Sequence, residues 1–349
     1  MAASCTAIAL TAGLLSGYSF RSDASPRGRP VKVFVITMFE PPGPGAGERS
    51  DWLDRLGLDE RIRIPGLNPA FPRVACHRED VCLVTTGVGQ ANAATSLMTI
   101  LASRRFDLRR TYFLVAGIAG IDPADGTVGS AAWARWAVSG DLADEIDARE
   151  IPPDWPSGYF GLGGAPPGVK PTDRAGTEVY HLNESLVRRA YALTRNLTLT
   201  DSTDAQAYRA QYPPGPATEP PTVNMCDTVT DDTYWEGKLL SDRVNAWVAL
   251  MTDGQGNYCT TQQEDNATLT ALRRGANAHW LDFGRVAVLR TASDFDQPYP
   301  GQTPYAALSE ATPGYALAIA NAYRVGSKYA HHIVTHWRDW EQGVPTTRS

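Results

Sequence analysis

The sequence predicts an α/β protein with a largely parallel or mixed sheet. Short β-branched apolar runs alternate along the chain with stretches of helical period. Of 349 residues, 43% are hydrophobic and 20% charged, the balance of a folded chain rather than a disordered one. Neither an internal repeat nor a break in composition divides the chain. Residues 26–349 therefore read as a single domain behind a leader at 1–25.

The elements follow in order. Pro30 precedes a run at 31–36 that has the look of a buried strand. A Pro/Gly-rich loop occupies 41–47, a helix-like stretch 50–58, and a loop holds Pro65, Pro69 and Pro72. Residues 74–84 read as a hairpin turning near Glu79, and they run through Thr86-Gly87-Val88-Gly89 into a helix at 91–101. A strand at 112–115 ends in the small residues Ala116-Gly117-Ile118-Ala119-Gly120, and 128–138 is β-like. After a loop at 152–171, Leu186, Val187, Ala190 and Leu193 share one face of an amphipathic helix at 183–196. Residues 213–221 form a loop and 222–225 begin a strand, while 242–251 fits either helix or strand. A helix at 263–274, a strand at 283–289 and a long terminal helix at 316–340 complete the pattern. With 31 Gly and 25 Pro, many turns and long connections are expected.

Charge and apolar runs exclude some functions. The net charge of −6 argues against a nucleic-acid partner, which needs a basic surface. The longest apolar run, 7–15, falls short of the ~20 residues of a spanning helix. Small and polar residues flank it, so it resembles a secretory signal peptide, although no Lys or Arg precedes it. The expectation is a secreted protein whose mature chain has no membrane span. Leader removal takes Cys5 and leaves Cys76, Cys82, Cys226 and Cys259, an even count that suggests disulfides with three connectivities. Cys76 and Cys82 flank a polar turn and could face each other across the hairpin, which leaves Cys226 with Cys259. Of the sequons at Asn183, Asn196 and Asn266, the first two lie in polar surroundings and are the glycosylation candidates.

Ligands of such sheets bind at the carboxyl ends of strands. Three strand ends stand out. Thr86-Gly87-Val88-Gly89 opens a helix, where backbone N–H groups can meet an anion or a hydroxyl; it also suits a plain tight turn. The small residues at 116–120 leave room for a flat ligand or for close backbone packing. Ser293-Asp294-Phe295-Asp296 places carboxylates beside aromatics, and burial there would raise a carboxyl pKa toward use as an acid. The same residues suit a solvated loop or a helix cap.

Together and in this order, the three segments resemble the nucleoside phosphorylase/nucleosidase superfamily. The stretches 35–39, 111–123, 144–152, 260–269 and 290–300 are similar to its purine nucleoside permease-type family, and the resemblance covers about 31–340. It implies a three-layer α/β/α fold with a central mixed twisted sheet, and cleavage of an N-glycosidic bond in purine nucleosides. By that resemblance Asp294, beside Ser293, protonates purine N7, and Glu264 holds the ribose hydroxyls. Gln263 stands where a Met is usual. Ala119 and Gly120 match the base loop, Thr86 and Gly87 the loop touching anion or ribose, and Tyr234 the base-pocket region.

The first strand ends in Thr37-Met38-Phe39-Glu40, without the phosphorylases' Gly-Asp-Pro or a nearby Arg. The nucleosidase branch has an acidic residue there to orient water, and Glu40 and Glu48 are both candidates. Glu48 lies four residues before Trp52, a spacing similar to the family's Glu-x-x-x-Trp. Hydrolysis is therefore expected, with phosphorolysis or non-catalytic nucleoside binding as alternatives. No cofactor or metal is expected: His332 and His336 share a helix face but lack a third ligand. The resemblance also implies a homodimer.

Overall fold

The structure, a computed structural model, describes residues 28–42, 47–78 and 80–345. The expected leader at 1–25 and the turn residue Glu79 lie outside the described residues.

The principal strands are β1 (Val33–Thr37), β2 (Glu60–Arg63), β3 (Arg73–His77), β4 (Val81–Thr85), β5 (Tyr112–Ile121), β6 (Ala131–Ala134), β7 (Trp136–Ser139), β8 (Val179–His181), β9 (Val223–Met225), β10 (Asp227–Thr230), β11 (Tyr258–Gln262) and β12 (Val286–Phe295). The α-helices are α1 (Ser50–Arg55), α2 (Gln90–Ser103), α3 (Glu184–Thr194), α4 (Thr203–Arg209), α5 (Lys238–Met251), α6 (Asp265–Asn277), α7 (Pro304–Ser309), α8 (Gly314–Thr335) and α9 (Trp337–Trp340). The strands form one mixed sheet in the order β8-β7-β10-β11-β5-β1-β4-β3-β2, with β12 pairing both β5 and β6, and β6 pairing β9. This is the expected fold class.

The apolar run of β1 is buried at every position. It lies between β4 and β5, parallel to both, as a strand covered on two faces should. Around it Phe34, Trp52, Trp133, Tyr329 and Trp340 fill the core. Helix α8 packs on β5 and β12, with α1 and α3 against it, while α2 packs on α6. Both expected disulfides are present, Cys76–Cys82 and Cys226–Cys259. Cys76 stands directly opposite Cys82 in the β3–β4 register.

The sheet also closes on itself. β5 pairs β11, β11 pairs β10, β10 pairs β7, β6 pairs β12, and β12 pairs β5. The corner between β6 and β7 is held by Asp227. Its Oδ1 accepts from the backbone N–H groups of Arg135 and Trp136 (both 2.9 Å), and its Oδ2 accepts from the Arg135 guanidinium (3.0 Å).

Several expectations change. Residues 116–120 are not a loop after a strand but the second half of β5. Likewise 290–295 continue β12. The two halves pair in parallel as far as Phe295 opposite Ile121, with a register shift between Ala292 and Asp294. Residues 242–251 are helical, within α5. The terminal helix breaks at His336 into α8 and α9. β2, α4 and β11 were not anticipated.

Candidate active site

A cavity of about 520 Å³ opens where β1 and β4 end and where β5, β11 and β12 run into the closed part of the sheet. Three buried carboxyl groups, Glu48, Glu264 and Asp294, line it.

At one end, β12 delivers Ser293 and Asp294 at its register shift. The Asp294 carboxylate accepts from Ser293 Oγ on Oδ1 and from the Tyr234 hydroxyl, 2.6 Å away, on Oδ2. Burial raises the Asp294 pKa, and the two donors oppose the rise. Ala119 and Gly120 of β5 form the neighbouring wall.

At the other end, Glu48 is clamped by backbone. Its Oε2 accepts from the N–H groups of Met38 (2.6 Å) and Phe39 (3.1 Å), just past β1, and its Oε1 accepts from Ile118 of β5 (2.8 Å). Burial pushes it up to about 7, against the pull of Arg290 and the backbone bonds. Gly117 is what lets it approach: a Cβ there would lie 2.9 Å from Glu48 Oε1 and 2.6 Å from Arg290 Nη1.

Glu264 sits between these ends, at the start of α6. Its Oε1 accepts from Gly89 N (3.2 Å) and its Oε2 from Arg290 (3.2 Å). Burial raises its pKa while Arg290 counters. The Arg290 guanidinium is itself buried and also bonds Asp265 (2.6 and 3.2 Å) and Ile118 O (2.9 Å). Burial works against its charge, but Asp265 and Glu264 hold its pKa above the usual value. Arg290 is the only Lys or Arg among the described residues lining the cavity, and its charge is already matched.

Across this fold, a family model described as purine nucleoside permease matches residues 30–345. The chain belongs to the purine nucleoside permease family. It is 36% identical over 326 residues to a protein of Schizosaccharomyces pombe named a probable purine nucleoside permease, covering 88% of this chain and 90% of that one. It is also 36% identical over 312 residues to the purine nucleoside permease of Candida albicans, covering 88% and 75% of the two chains. Among solved structures, the fold is similar to the futalosine hydrolase of Helicobacter pylori (TM-score 0.51, 11% identity, 86% of this chain and 98% of that one). It is equally similar to the 5′-methylthioadenosine/S-adenosylhomocysteine nucleosidase of the same organism (TM-score 0.51, 11% identity, 88% and 98%). At such identity these show a shared fold. No helix among the described residues of this permease-family chain is long and apolar enough to cross a membrane.

Of the remaining expected site residues of this family member, Gln263 lines the cavity and Thr86, Gly87 and Glu40 do not. Gln263 lines it and donates to Asp232 O (2.7 Å). Val88 lines the cavity in place of Thr86 and Gly87; Thr86 is fully buried, and Asn68 donates to its carbonyl (3.0 Å). Glu40 does not line the cavity. It accepts from Arg49 N (3.0 Å) and pairs with the Arg49 guanidinium (3.2 Å). Of the sequons, Asn196 is exposed. Asn183 caps α3, with Nδ2 donating to Gly284 O (2.9 Å), a bond that a glycan there would have to replace. Asn266 is buried and bonded to Thr230 (2.8 Å).

Sequence reasoning gave no role to Arg290 or Asp265, nor to Phe39 and Tyr315, which line the cavity near Glu48. A charged residue inside the apolar run 286–292 was the available signal for Arg290: such a residue must find buried partners.

Proposed function

We propose that the chain hydrolyses the N-glycosidic bond of purine ribonucleosides to free base and ribose. The observation that carries this reading is the pair of buried acids at opposite ends of one cavity, Asp294 and Glu48, with no unmatched cation among the described residues that line it.

The chemistry needs an acid for the leaving purine and help for the cation forming at C1′. Asp294 gives its proton to N7, so the base departs neutral. Glu264 accepts hydrogen bonds from the ribose hydroxyls. Glu48, once ionised, takes a proton from water as the water oxygen bonds to C1′ and the bond to the base breaks. Its negative charge also favours the oxocarbenium-like transition state.

Water rather than phosphate is supported by electrostatics. A phosphate nucleophile needs cationic or free N–H partners, and Arg290 is engaged with Asp265 and Glu264. The start of α2 is engaged too: Gly89 N donates to Glu264 (3.2 Å) and Gln90 N to Asp232 (2.7 Å). The two disulfides support secretion, since such bonds persist in oxidising compartments.

The test is base release from inosine, adenosine and guanosine, with and without phosphate. Free base and reducing sugar in phosphate-free buffer is the expected result. Strict dependence on phosphate overturns the hydrolytic assignment. Saturable nucleoside binding without turnover replaces the enzyme with a binding component.

A further inference from the structure

We propose that Tyr234 is a positioning residue for Asp294: its hydroxyl holds the carboxylate and gives up that place to the purine. The inference rests on the nucleosidase reading of the cavity.

The geometry separates the two donors on Asp294. Ser293 is the adjacent residue on β12; it is buried, and its Oγ also lies 3.2 Å from Ala119 O. It sits on the strand itself at the register shift, with its hydroxyl within reach of both Asp294 Oδ1 and Ala119 O. Tyr234 belongs to the connection between β10 and α5 and is 49% exposed. That connection is pinned at both ends, by Asp231 N on Gln262 O and by Gly237 N on Asp296 O (both 2.9 Å). Tyr234 lies between the pins, reaches into the cavity and ends 2.6 Å from Asp294 Oδ2. Oδ1 faces Ser293, so Oδ2 is the oxygen available to carry a proton to a base. The phenol and the purine nitrogen therefore compete for one position.

The competition has a sign. A hydroxyl donating to Asp294 favours the ionised carboxylate, whereas proton donation needs the acid form. The other groups around Asp294 are Tyr208 of α4, Glu236 of the same connection, and Asp296 on its own strand. Burial, with Asp294 and Asp296 as like charges, pushes Glu236 up to about 9, so it is neutral at pH 7. Burial with Asp122 pushes Asp296 up to about 7. None of these three donates a hydrogen bond to Asp294 as Tyr234 does. When the purine displaces Tyr234, Asp294 loses the donor that favoured its charge, takes a proton from solvent and holds it until transfer to the base.

The experiment compares the wild-type protein with Tyr234→Phe, a change at a half-exposed ring that removes one oxygen. Two readouts are needed. The first is the pH profile. kcat/KM reports the free enzyme, where Tyr234 is on Asp294, and kcat reports the complex, where it has left. In the variant, the high-pH limb of kcat/KM moves up by about one pH unit, the scale of one hydrogen bond to a carboxylate, and that of kcat stays in place. The second is calorimetric binding of adenine, which needs no turnover. The variant binds about tenfold tighter because the competitor is gone. Unchanged limbs, or equal shifts in both, overturn the proposal, as does adenine binding that is unchanged or weaker. If the wild type releases no base, the nucleosidase reading fails, and the adenine arm still decides the role of Tyr234.

Discussion

At the scale of single residues, each acid of the cavity has an environment matched to one task. Asp294 is buried beside donors, Glu48 is clamped by three backbone N–H groups, and Glu264 is paired with Arg290. If Asp294 supplies the proton, Asp294→Asn keeps the shape and removes the acid. Turnover should then fall by about 10²–10⁴-fold with unchanged thermal unfolding, measured as base release from inosine. Glu48 makes a prediction of opposite sign in pH. As the water-activating base it must be ionised, and burial places its ionisation at about 7. Activity should therefore rise with pH through that value, and Glu48→Gln should abolish this limb rather than shift it. A variant that retains the limb would remove Glu48 from the role.

At the scale of elements, the site depends on how closely β5 and β12 run past β1. Gly117 is the point of closest approach: a Cβ there would meet Arg290 Nη1 at 2.6 Å, the Met38 methyl at 2.7 Å and Glu48 Oε1 at 2.9 Å. Gly117→Ala should push Glu48 off its backbone clamp. A displacement of this kind costs on the order of 10²-fold in kcat. An undiminished kcat would show that the clamp is dispensable. The same strands mark the limit of what was legible. β1 was readable as a continuous apolar run, the β3–β4 hairpin from the polar turn between two apolar runs, and α2 from its helix-forming residues. β11 was not, because Tyr258–Gln262 is buried at every position yet reads as polar. Its neighbour β10 is also fully buried and carries Asp and Thr. Part of this polar content is met by a cross-strand network: Gln262 Nε2 reaches Thr228 Oγ1 (3.2 Å), Val229 O (3.1 Å) and Thr230 Oγ1 (2.9 Å). A single strand's pattern does not contain its partners. For the same reason the residues at 116–120 looked like a loop: small side chains signal loop in isolation and close strand packing in a closed sheet. Asp294, Glu264 and Glu48 were legible through their positions in motifs. The Arg290–Asp265 pair was not, since it joins β12 to α6 across 25 residues.

At the scale of the whole molecule, charge sets what the site can take. The chain carries −6 overall, and the cavity concentrates three of its acids around one arginine already paired with Glu264 and Asp265. The nearest part of α2 that could hold an anion donates instead to Glu264 and Asp232. Arg49, beside the Glu48 clamp, is paired with Glu40. A 5′-phosphate would bring about two negative charges at pH 7 into this setting, where the described lining holds no Lys or Arg besides the paired Arg290. Like charges forced together cost several kcal/mol, which corresponds to about a hundredfold or more in kcat/KM. Adenosine should therefore be cleaved and adenosine 5′-monophosphate left intact at equal concentration. Addition of a phosphomonoesterase to the second reaction should restore adenine release. Because screening by salt is weak inside a cavity, the discrimination should persist at high ionic strength. Equal cleavage of the two compounds would mean that a cation outside the lining reaches the phosphate, and Arg49, released from Glu40, would be the residue to substitute first.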